Sequence, residues 1–391
     1  MPLYNSSRLD IPCRIIQGEE KDFTTYRHDI SPAEWCVFMS NGVWHLVDID
    51  RILFNTTYHE TKGRIILENE GKTILEEEEH VEGKEFVALN EFWFCTKPNI
   101  LIYYNFPDDD EWIFQDKYSR PKTSEDFVLL LFTYYQYHIL GLQFLIQCSS
   151  KLYTRNGQCT ISLQADPFVL RAKCFPYTLS LIEGTGDISG IKADDLPLLV
   201  RYAPGIDTIS FNIRFPVFGE YVFEVSAKDH DDSSSCRQCF DIVIVYDEAD
   251  PYCRKLPIDA GIVGYGYGYT AKDAGLKNPS KTGPTIKLNS QSDDGGIKPS
   301  ILTFQIDHDL IDKLQYSSDI KGKDVDHAFS ETHVDADKGK LTVVANVKTE
   351  GEYALSITAK PKQSGDNPET VLNYLLTTTV NKYDGMMKNT H

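Results

Sequence analysis

The sequence lacks long apolar runs and has no excess of basic residues. Its longest apolar candidate, Phe127 to Phe132, has the length of a strand, whereas a membrane-spanning helix needs about 18 or more apolar residues. Among 391 residues, 58 are acidic and 39 are basic, which gives a formal net charge of −19. Such a charge repels phosphate backbones and anionic lipid surfaces. We therefore expect no membrane span and no nucleic-acid partner.

The sequence also lacks the features of a secreted chain. Its first residues contain neither a basic segment nor an apolar one, as a signal peptide would. The nine cysteines, an odd number, are scattered singly except for Cys236 and Cys239. This pattern favours free thiols in a reducing compartment over a disulfide framework. The prediction is a cytoplasmic protein, and the glycosylation sequons at Asn5 and Asn55 leave an extracellular adhesion protein as the weaker alternative.

Helical periodicity is scarce, whereas period-two alternation is frequent. Apolar and polar residues alternate from Ile209 to Phe215 and from Phe240 to Tyr246. Such alternation is typical of half-buried strands. The clearest helical patterns are short and cover 124–131 and 307–315. The predicted fold class is therefore mainly β.

The chain contains an internal repeat. Gly219 to Lys228 recurs as Gly351 to Lys360, 132 residues later, and both copies begin Gly-Glu-Tyr. The strands on either side repeat at the same offset. Strand, glycine turn, strand, polar loop and strand at this spacing are typical of an immunoglobulin-like sandwich, with each tyrosine placed to pack at a corner. The sequence thus predicts two homologous β-sandwiches in tandem.

The residues before the repeat have a different composition. They include all four tryptophans, Trp35, Trp44, Trp93 and Trp112, which predicts a separate domain packed around aromatic rings. We therefore predict three domains: an aromatic-packed domain over 1–118, a first immunoglobulin-like domain over 119–249 and a second over 250–391.

Three segments carry a resemblance to a known family. They are Trp35-Cys-Val-Phe-Met-Ser-Asn-Gly-Val-Trp-His-Leu-Val-Asp48, Asn90 to Pro98, and Asn105 to Trp112. The first resembles the hairpin of transglutaminase-like domains, and the other two resemble the segment that closes this domain in the kyphoscoliosis peptidase and hillarin family. The tyrosine- and glycine-rich residues 264–276 also resemble that family. The resemblance implies that residues 1–118 are the α+β remnant of a partial, N-terminally truncated transglutaminase-like domain, followed by two immunoglobulin-like domains.

The family's chemistry would be a Cys-His-Asp triad, in which the imidazole keeps the thiolate ionised and the carboxylate orients the imidazole. The resemblance places Asp48 at the carboxylate position but Ala33 at the histidine position. Alanine cannot accept a proton. The resemblance puts the nucleophilic cysteine upstream of this chain and makes Cys13 a strand residue. Asp48 is therefore predicted to be the remnant of a triad, although an acid at the end of a strand also often caps a turn.

Other residues near the hairpin offer alternatives. His28 could replace the missing histidine after a local rearrangement, but an exposed histidine is the more ordinary interpretation. Cys36 is expected to be a small buried thiol rather than a reactive one. His45 lies on an alternating strand and is expected to face solvent.

Further motifs give weaker predictions. Cys236-Arg-Gln-Cys239 would need Cys253 and a histidine to complete a zinc site, so two free thiols are favoured. A calcium loop beginning at Asp229 is excluded, because Ser234 and Phe240 stand where glycine and glutamate are required. The run Gly264 to Tyr269 is predicted to be a loop that exposes its tyrosines, with a partner-binding surface as the alternative. We predict no cofactor and no metal site.

These observations lead to a functional hypothesis. The chain is predicted to be a non-catalytic, transglutaminase-like scaffold that binds partner proteins, and the resemblance implies cytoskeletal or other cytoplasmic partners. The alternative is a cysteine peptidase or transglutaminase whose nucleophile lies on N-terminal sequence missing from this chain. The sequence predicts no oligomeric state.

Overall fold

The computed structural model describes most of the chain. The described residues are 4–5, 11–21, 29–53, 57–58, 86–87, 90–115, 120–146, 149–154, 157–182, 192–230, 236–247, 253–288, 297–323, 325–363 and 367–378. They form many strands and few helices, so the prediction of a mainly β fold is confirmed. None of the described helices is long and apolar enough to cross a membrane.

The first part of the chain contains nine strands and four α-helices among its described residues. In chain order they are β1 (Tyr4–Asn5), β2 (Pro12–Lys21), β3 (Ile30–Ser40), β4 (Val43–Val47), α1 (Ile49–Leu53), β5 (Thr57–Tyr58), β6 (Phe86–Val87), β7 (Phe94–Thr96), α2 (Pro98–Leu101), β8 (Asn105–Pro107), α3 (Ser124–Val128), β9 (Phe132–Thr133) and α4 (Tyr135–Ile139).

The remaining elements are mostly strands. They are β10 (Gln143–Phe144), β11 (Lys151–Thr154), β12 (Gln158–Gln164), α5 (Pro167–Ala172), β13 (Lys173–Cys174), β14 (Tyr177–Leu181), β15 (Val200–Pro204), β16 (Thr208–Arg214), β17 (Gly219–Asp229), β18 (Arg237–Tyr246), α6 (Tyr269–Asp273), β19 (Leu276–Lys277), β20 (Thr285–Lys287), β21 (Ser300–Ile306), β22 (Leu314–Gly322), β23 (Phe329–Asp335), β24 (Lys340–Asn346), β25 (Glu352–Pro361) and β26 (Glu369–Thr377). Short 3₁₀ helices cover Glu91–Trp93, Asp110–Trp112, Ala193–Leu199, Gly261–Val263 and Val325–His327.

The chain divides into two compact units. The first consists of Met1–His138, Cys148–Leu152 and Cys239–Val243, and the second of Ile139–Gln147, Tyr153–Gln238 and Ile244–His391. The domain boundaries proposed from the sequence remain a prediction.

The first unit is built on an antiparallel sheet in the order β1-β2-β3-β4-β7, with β8 paired to β2. Tryptophans Trp35 and Trp93 are almost fully buried against Leu46 and Tyr104. Trp44 packs edge-on against Trp112, with their ring centroids 5.5 Å apart. The tryptophans concentrated in this part of the sequence therefore build one aromatic core.

The second unit contains two sandwiches of similar topology. The first sandwich has one sheet in the order β10-β12-β16-β15, while β13 and β14 pair with β17. The second sandwich has sheets in the orders β19-β21-β24-β23 and β20-β26-β25-β22. Alternate side chains of β16 and β24 are buried, as the period-two pattern predicts.

The structure confirms the predicted repeat at the level of single strands. Each residue of β24 lies 132 positions after its counterpart in β16. The Tyr221 hydroxyl donates to the Val217 carbonyl over 2.8 Å, and the Tyr353 hydroxyl donates to the Thr349 carbonyl over 3.2 Å. Both bonds reach four residues back along the chain, so the predicted corner tyrosine is confirmed in both copies.

The structure confirms one of the two predicted helices and not the other. The first is confirmed but ends early, at Val128, and the Thr123 side chain caps its start. The second, over 307–315, is wrong: these residues form turns, and β22 begins at Leu314. Ile311 is buried in the core of the second sandwich. Apolar residues in this turn are spaced as in a short helix because they pack against the sandwich core, not because the backbone is helical.

Candidate functional site

Asp48 lies between β4 and α1 and is 3% exposed. Its Oδ1 accepts the backbone N–H of Arg51 over 3.0 Å. Its Oδ2 accepts from Arg51 Nε over 3.1 Å and from Asn105 Nδ2 over 3.2 Å. The carboxylate therefore caps the first turn of α1 and is held by two side-chain donors.

Arg51 extends this cluster. Its guanidinium donates to Glu20 over 3.1 Å and lies 5.3 Å from the Trp93 ring and 5.2 Å from the Tyr104 ring. Cation–π contact and two carboxylates together keep the arginine in place. Sequence reasoning missed Arg51, although an acid followed three residues later by arginine at a helix start is a local signal for such a pair.

The position of the missing histidine holds no proton acceptor. Ala33 lies on β3 opposite Gly18 of β2. His45 stacks on Phe38, with centroids 5.1 Å apart, and is half-buried rather than fully facing solvent. His28 lies outside the described residues. The assignment of Asp48 as a triad remnant stays a prediction.

Sequence reasoning also missed His138 in α4. Its Nε2 lies 3.0 Å from Thr133 Oγ1, and its ring packs near Phe92, Tyr103 and Tyr104. Burial among these rings lowers the pKa of His138 to about 4, so the imidazole is neutral at pH 7.

The cysteines of the hairpin are not arranged as nucleophiles. Burial raises the pKa of the Cys36 thiol, and neighbouring Cys13 and Asp48 act in the same direction. Cys13 lies on β2, and its Sγ donates to the Ile11 carbonyl over 3.0 Å. A reactive thiol needs a lowered pKa, so the environment of Cys36 favours the inert protonated form.

The remaining sequence motifs do not form a metal site in the described residues. Cys236 is exposed and Cys239 is buried. Within the described ranges, no group of three or more His, Cys, Asp and Glu side chains is placed to hold a metal ion.

The tyrosine- and glycine-rich segment lies between the two sandwiches, and the prediction that it exposes its tyrosines is wrong. Tyr265 is 1% exposed, and its N–H donates to the Tyr202 carbonyl of β15 over 2.8 Å. Gly266 N–H donates to the Asn373 carbonyl of β26 over 2.7 Å. The segment is thus buried by residues distant in sequence.

Glycines allow this segment to lie close to β15. Gly264 has φ +60°, and a Cβ there would lie 2.3 Å from Pro204 Cδ. A Cβ on Gly268 would lie 2.3 Å from the Pro204 carbonyl oxygen. Both distances are far below van der Waals contact, so no larger residue fits without displacing β15.

A charged pair also joins the sandwiches. Arg214 of β16 makes two hydrogen bonds to the carboxylate of Glu352 in β25, over 2.7 Å and 2.9 Å. The two side chains are 15% and 17% exposed. Bidentate geometry with little solvent makes this a strong and directional contact.

The second unit also has a cleft of about 590 Å³, a size typical of ligand sites. Residues of both sandwiches line it. The first contributes Arg171, Lys173, Cys174, Tyr202 and His230, and the second contributes Ile262, Tyr269, Asp273, Leu314, Glu369 and Val371, among others. Sequence reasoning missed the cleft, because its walls come from segments up to about 200 residues apart.

Charged side chains in the cleft are mostly paired. Arg171 donates to Asp273 over 2.9 Å, and Lys173 donates to Asp229 over 2.7 Å. Glu369, at the start of β26, is exposed, and no described side chain forms an ion pair with it. Among the described residues, Glu369 is therefore a cleft carboxylate without an ion-pair partner.

Comparisons with known proteins give low-scoring structural likenesses and a family match. A search of curated proteins gives no match. Among solved structures, a marsupial T cell receptor is 10% identical over 60% of this chain and 95% of that chain, with a TM-score of 0.19. The surface layer protein SbsC, domains 4–9, is 10% identical over 61% of this chain and 31% of that chain, with a TM-score of 0.17.

The comparison with protein families is more specific. Residues 124–257 match the family described as KY-like, immunoglobulin-like domain. The match covers the first sandwich, and it supports an immunoglobulin-like region of the type found in the kyphoscoliosis peptidase family.

Proposed function

We propose that this chain is a non-catalytic scaffold that binds partner proteins through its immunoglobulin-like sandwiches. The observation that carries the proposal is the structural use of Asp48, whose carboxylate caps α1 and binds Arg51 and Asn105. A triad carboxylate must instead accept from an imidazole, and Ala33 stands where the resemblance expects that imidazole. The first domain is then a transglutaminase-like fold without its chemistry.

The two immunoglobulin-like sandwiches support the proposal that the chain binds proteins. An immunoglobulin-like domain is a common protein-interaction module, and the second unit holds two sandwiches around one cleft. The resemblance to the kyphoscoliosis peptidase and hillarin family supports cytoskeletal partners and a cytoplasmic location. A surface shared by two sandwiches offers more area and more specificity than one alone.

Thiol chemistry tests the absence of catalysis. The full chain is alkylated across a pH series and read residue by residue by mass spectrometry, and incorporation of a labelled amine and cleavage of casein are measured in parallel. We expect no thiol that reacts rapidly near pH 6 and no turnover, because burial raises the pKa of Cys36.

One result would overturn this proposal. It is turnover that persists in Asp50→Ala and disappears in Asp48→Ala under conditions where tryptophan fluorescence shows that the Asp48→Ala variant is folded. Asp50 is a matched control, because it is an exposed acid in the same helix turn.

A further inference from the structure

A small pocket lies within the first unit, close to the cluster around Asp48. It has a volume of about 20 Å³, and its lining includes Trp35 of β3, Asn105 of β8 and Gln115. About 10–15 Å³ is enough for one water molecule. The pocket can therefore hold a water molecule and is too small for an organic ligand.

Two of the lining residues each have a buried polar atom without a hydrogen-bond partner in the described part of the chain. These atoms are the Trp35 Nε1 and the Asn105 Oδ1, and both residues are 3% exposed. Buried polar groups in folded proteins are nearly always hydrogen-bonded to protein or to ordered water. Two unpaired atoms on the walls of one pocket therefore point to a ligand in it.

The contacts of Asp48 fix which way the Asn105 amide faces. Asn105 Nδ2 donates to Asp48 Oδ2 over 3.2 Å, and the same oxygen accepts from Arg51. An oxygen that accepts from arginine needs a donor from Asn105, so the amide nitrogen faces Asp48 and the carbonyl oxygen is the atom left over. Trp35 Nε1, in contrast, can only donate. A ligand that satisfies both atoms must accept one hydrogen bond and donate another.

This requirement selects the chemistry of the ligand. A metal ion or an ammonium ion cannot accept a hydrogen bond from Trp35, and an anion such as chloride cannot donate one to Asn105. A water molecule does both, and it fits the volume.

We propose that the pocket binds one structural water molecule, which accepts from Trp35 Nε1 and donates to Asn105 Oδ1. The water holds the Asn105 amide in the orientation that presents Nδ2 to Asp48. It therefore belongs to the contacts that fix this carboxylate. The inference goes beyond the proposed scaffold function and does not depend on it.

Nuclear magnetic resonance of the full chain, labelled with ¹⁵N at its tryptophans, tests the proposal. The sequence has only four tryptophans, so a tryptophan-to-phenylalanine variant of each assigns its indole signal. Rotating-frame cross-relaxation with water is measured, because its sign separates close contact with a bound water from proton exchange. We expect a contact cross-peak at the Trp35 indole.

Trp93 is a control within the same molecule. Its Nε1 is also buried without a described hydrogen-bond partner, but Trp93 is not part of the pocket lining. Its ring packs at nearly a right angle to the Tyr104 ring, with the centroids 4.7 Å apart. We expect no contact cross-peak at the Trp93 indole.

Two variants locate the water in the pocket. Asn105→Leu removes the acceptor with a side chain of similar branching and should abolish the Trp35 cross-peak. Gln115→Met is the matched control, because Gln115 lines the same pocket but its amide donates to the Pro98 carbonyl over 2.8 Å. The Gln115→Met variant should keep the cross-peak.

Three results would overturn the proposal: no contact cross-peak at Trp35 in the wild type, an equal one at Trp93, or equal effects of the two variants. The wild-type spectrum decides the question even where Asn105→Leu does not fold. The thiol experiment tests the scaffold function separately, so either proposal can fail while the other stands.

Discussion

The two units each hold an arginine against a carboxylate, but the pairs have different roles. Asp48 and Arg51 are three residues apart and stabilise the start of one helix. Arg214 and Glu352 are 138 residues apart and join two sandwiches. The first pair lies within a single turn of chain, whereas the second depends on the completed fold. Similar chemistry therefore serves local structure in one unit and domain arrangement in the other.

The largest expected loss of stability comes from breaking the Asp48–Arg51 pair. Asp48→Ala should lower the free energy of unfolding of the first unit by about 3 kcal/mol, because it removes a helix cap and leaves Arg51 and Asn105 without their acceptor. Chemical denaturation followed by tryptophan fluorescence measures this loss, since all four tryptophans lie in that unit. Asp50→Ala should change the midpoint little, and an equal loss in both variants would contradict the assigned role.

Breaking the Arg214–Glu352 pair should lower the free energy of unfolding by a somewhat smaller amount. It should also change how the two sandwiches unfold relative to each other. Glu352→Ala should cost about 2 kcal/mol, because it leaves the arginine largely buried without its partner. Calorimetry should show the unfolding transitions of the two sandwiches separating, since the joint between them is weakened.

A double-mutant cycle with Arg214→Met and Glu352→Met isolates the pair. A coupling energy near zero would show that the glycine-rich segment holds the sandwiches together without it.

The smallest expected effect is a pH dependence that belongs to the first unit. The pKa of His138 is lowered to about 4, from an ordinary value near 6.5. The unfolded chain therefore binds a proton that the folded chain excludes. As a result, the free energy of unfolding decreases as pH falls from 6.5 toward 4. At pH 5.5 the loss should be about 1 kcal/mol.

Unfolding of the wild type and of His138→Gln at pH 7.5 and pH 5.5 measures this difference. The variant should lose less stability between the two conditions, whereas His45→Gln should behave as the wild type. Parallel pH profiles in wild type and His138→Gln would show that the imidazole is solvated.

The sequence predicted what depends on short-range pattern. The strands around Phe211 and Tyr221 and their copies 132 residues later follow from alternation and from self-similarity. Asp48 was identified from the resemblance of its hairpin to transglutaminase-like domains. Its partner Arg51 was within reach of short-range pattern, whereas Asn105 is 57 residues away and no local signal points to it.

Burial by distant residues was beyond sequence reasoning. Tyr265 lies in a run that is polar and rich in glycine by composition, yet Tyr202, Ala354 and Leu375 surround it in the fold. The cleft depends on the same kind of non-local contact. The periodicity of a sequence describes one strand or helix at a time. It does not show which other part of the chain packs over that element.

The three glycines between the sandwiches fix the length of the connection as well as its composition. An inserted residue would move Tyr265 out of its buried position and bring a side chain against Pro204. Most connections between domains tolerate such changes, because few contacts cross them. In this chain close contacts cross the connection, so the arrangement of the neighbouring sandwiches depends on each residue of the segment.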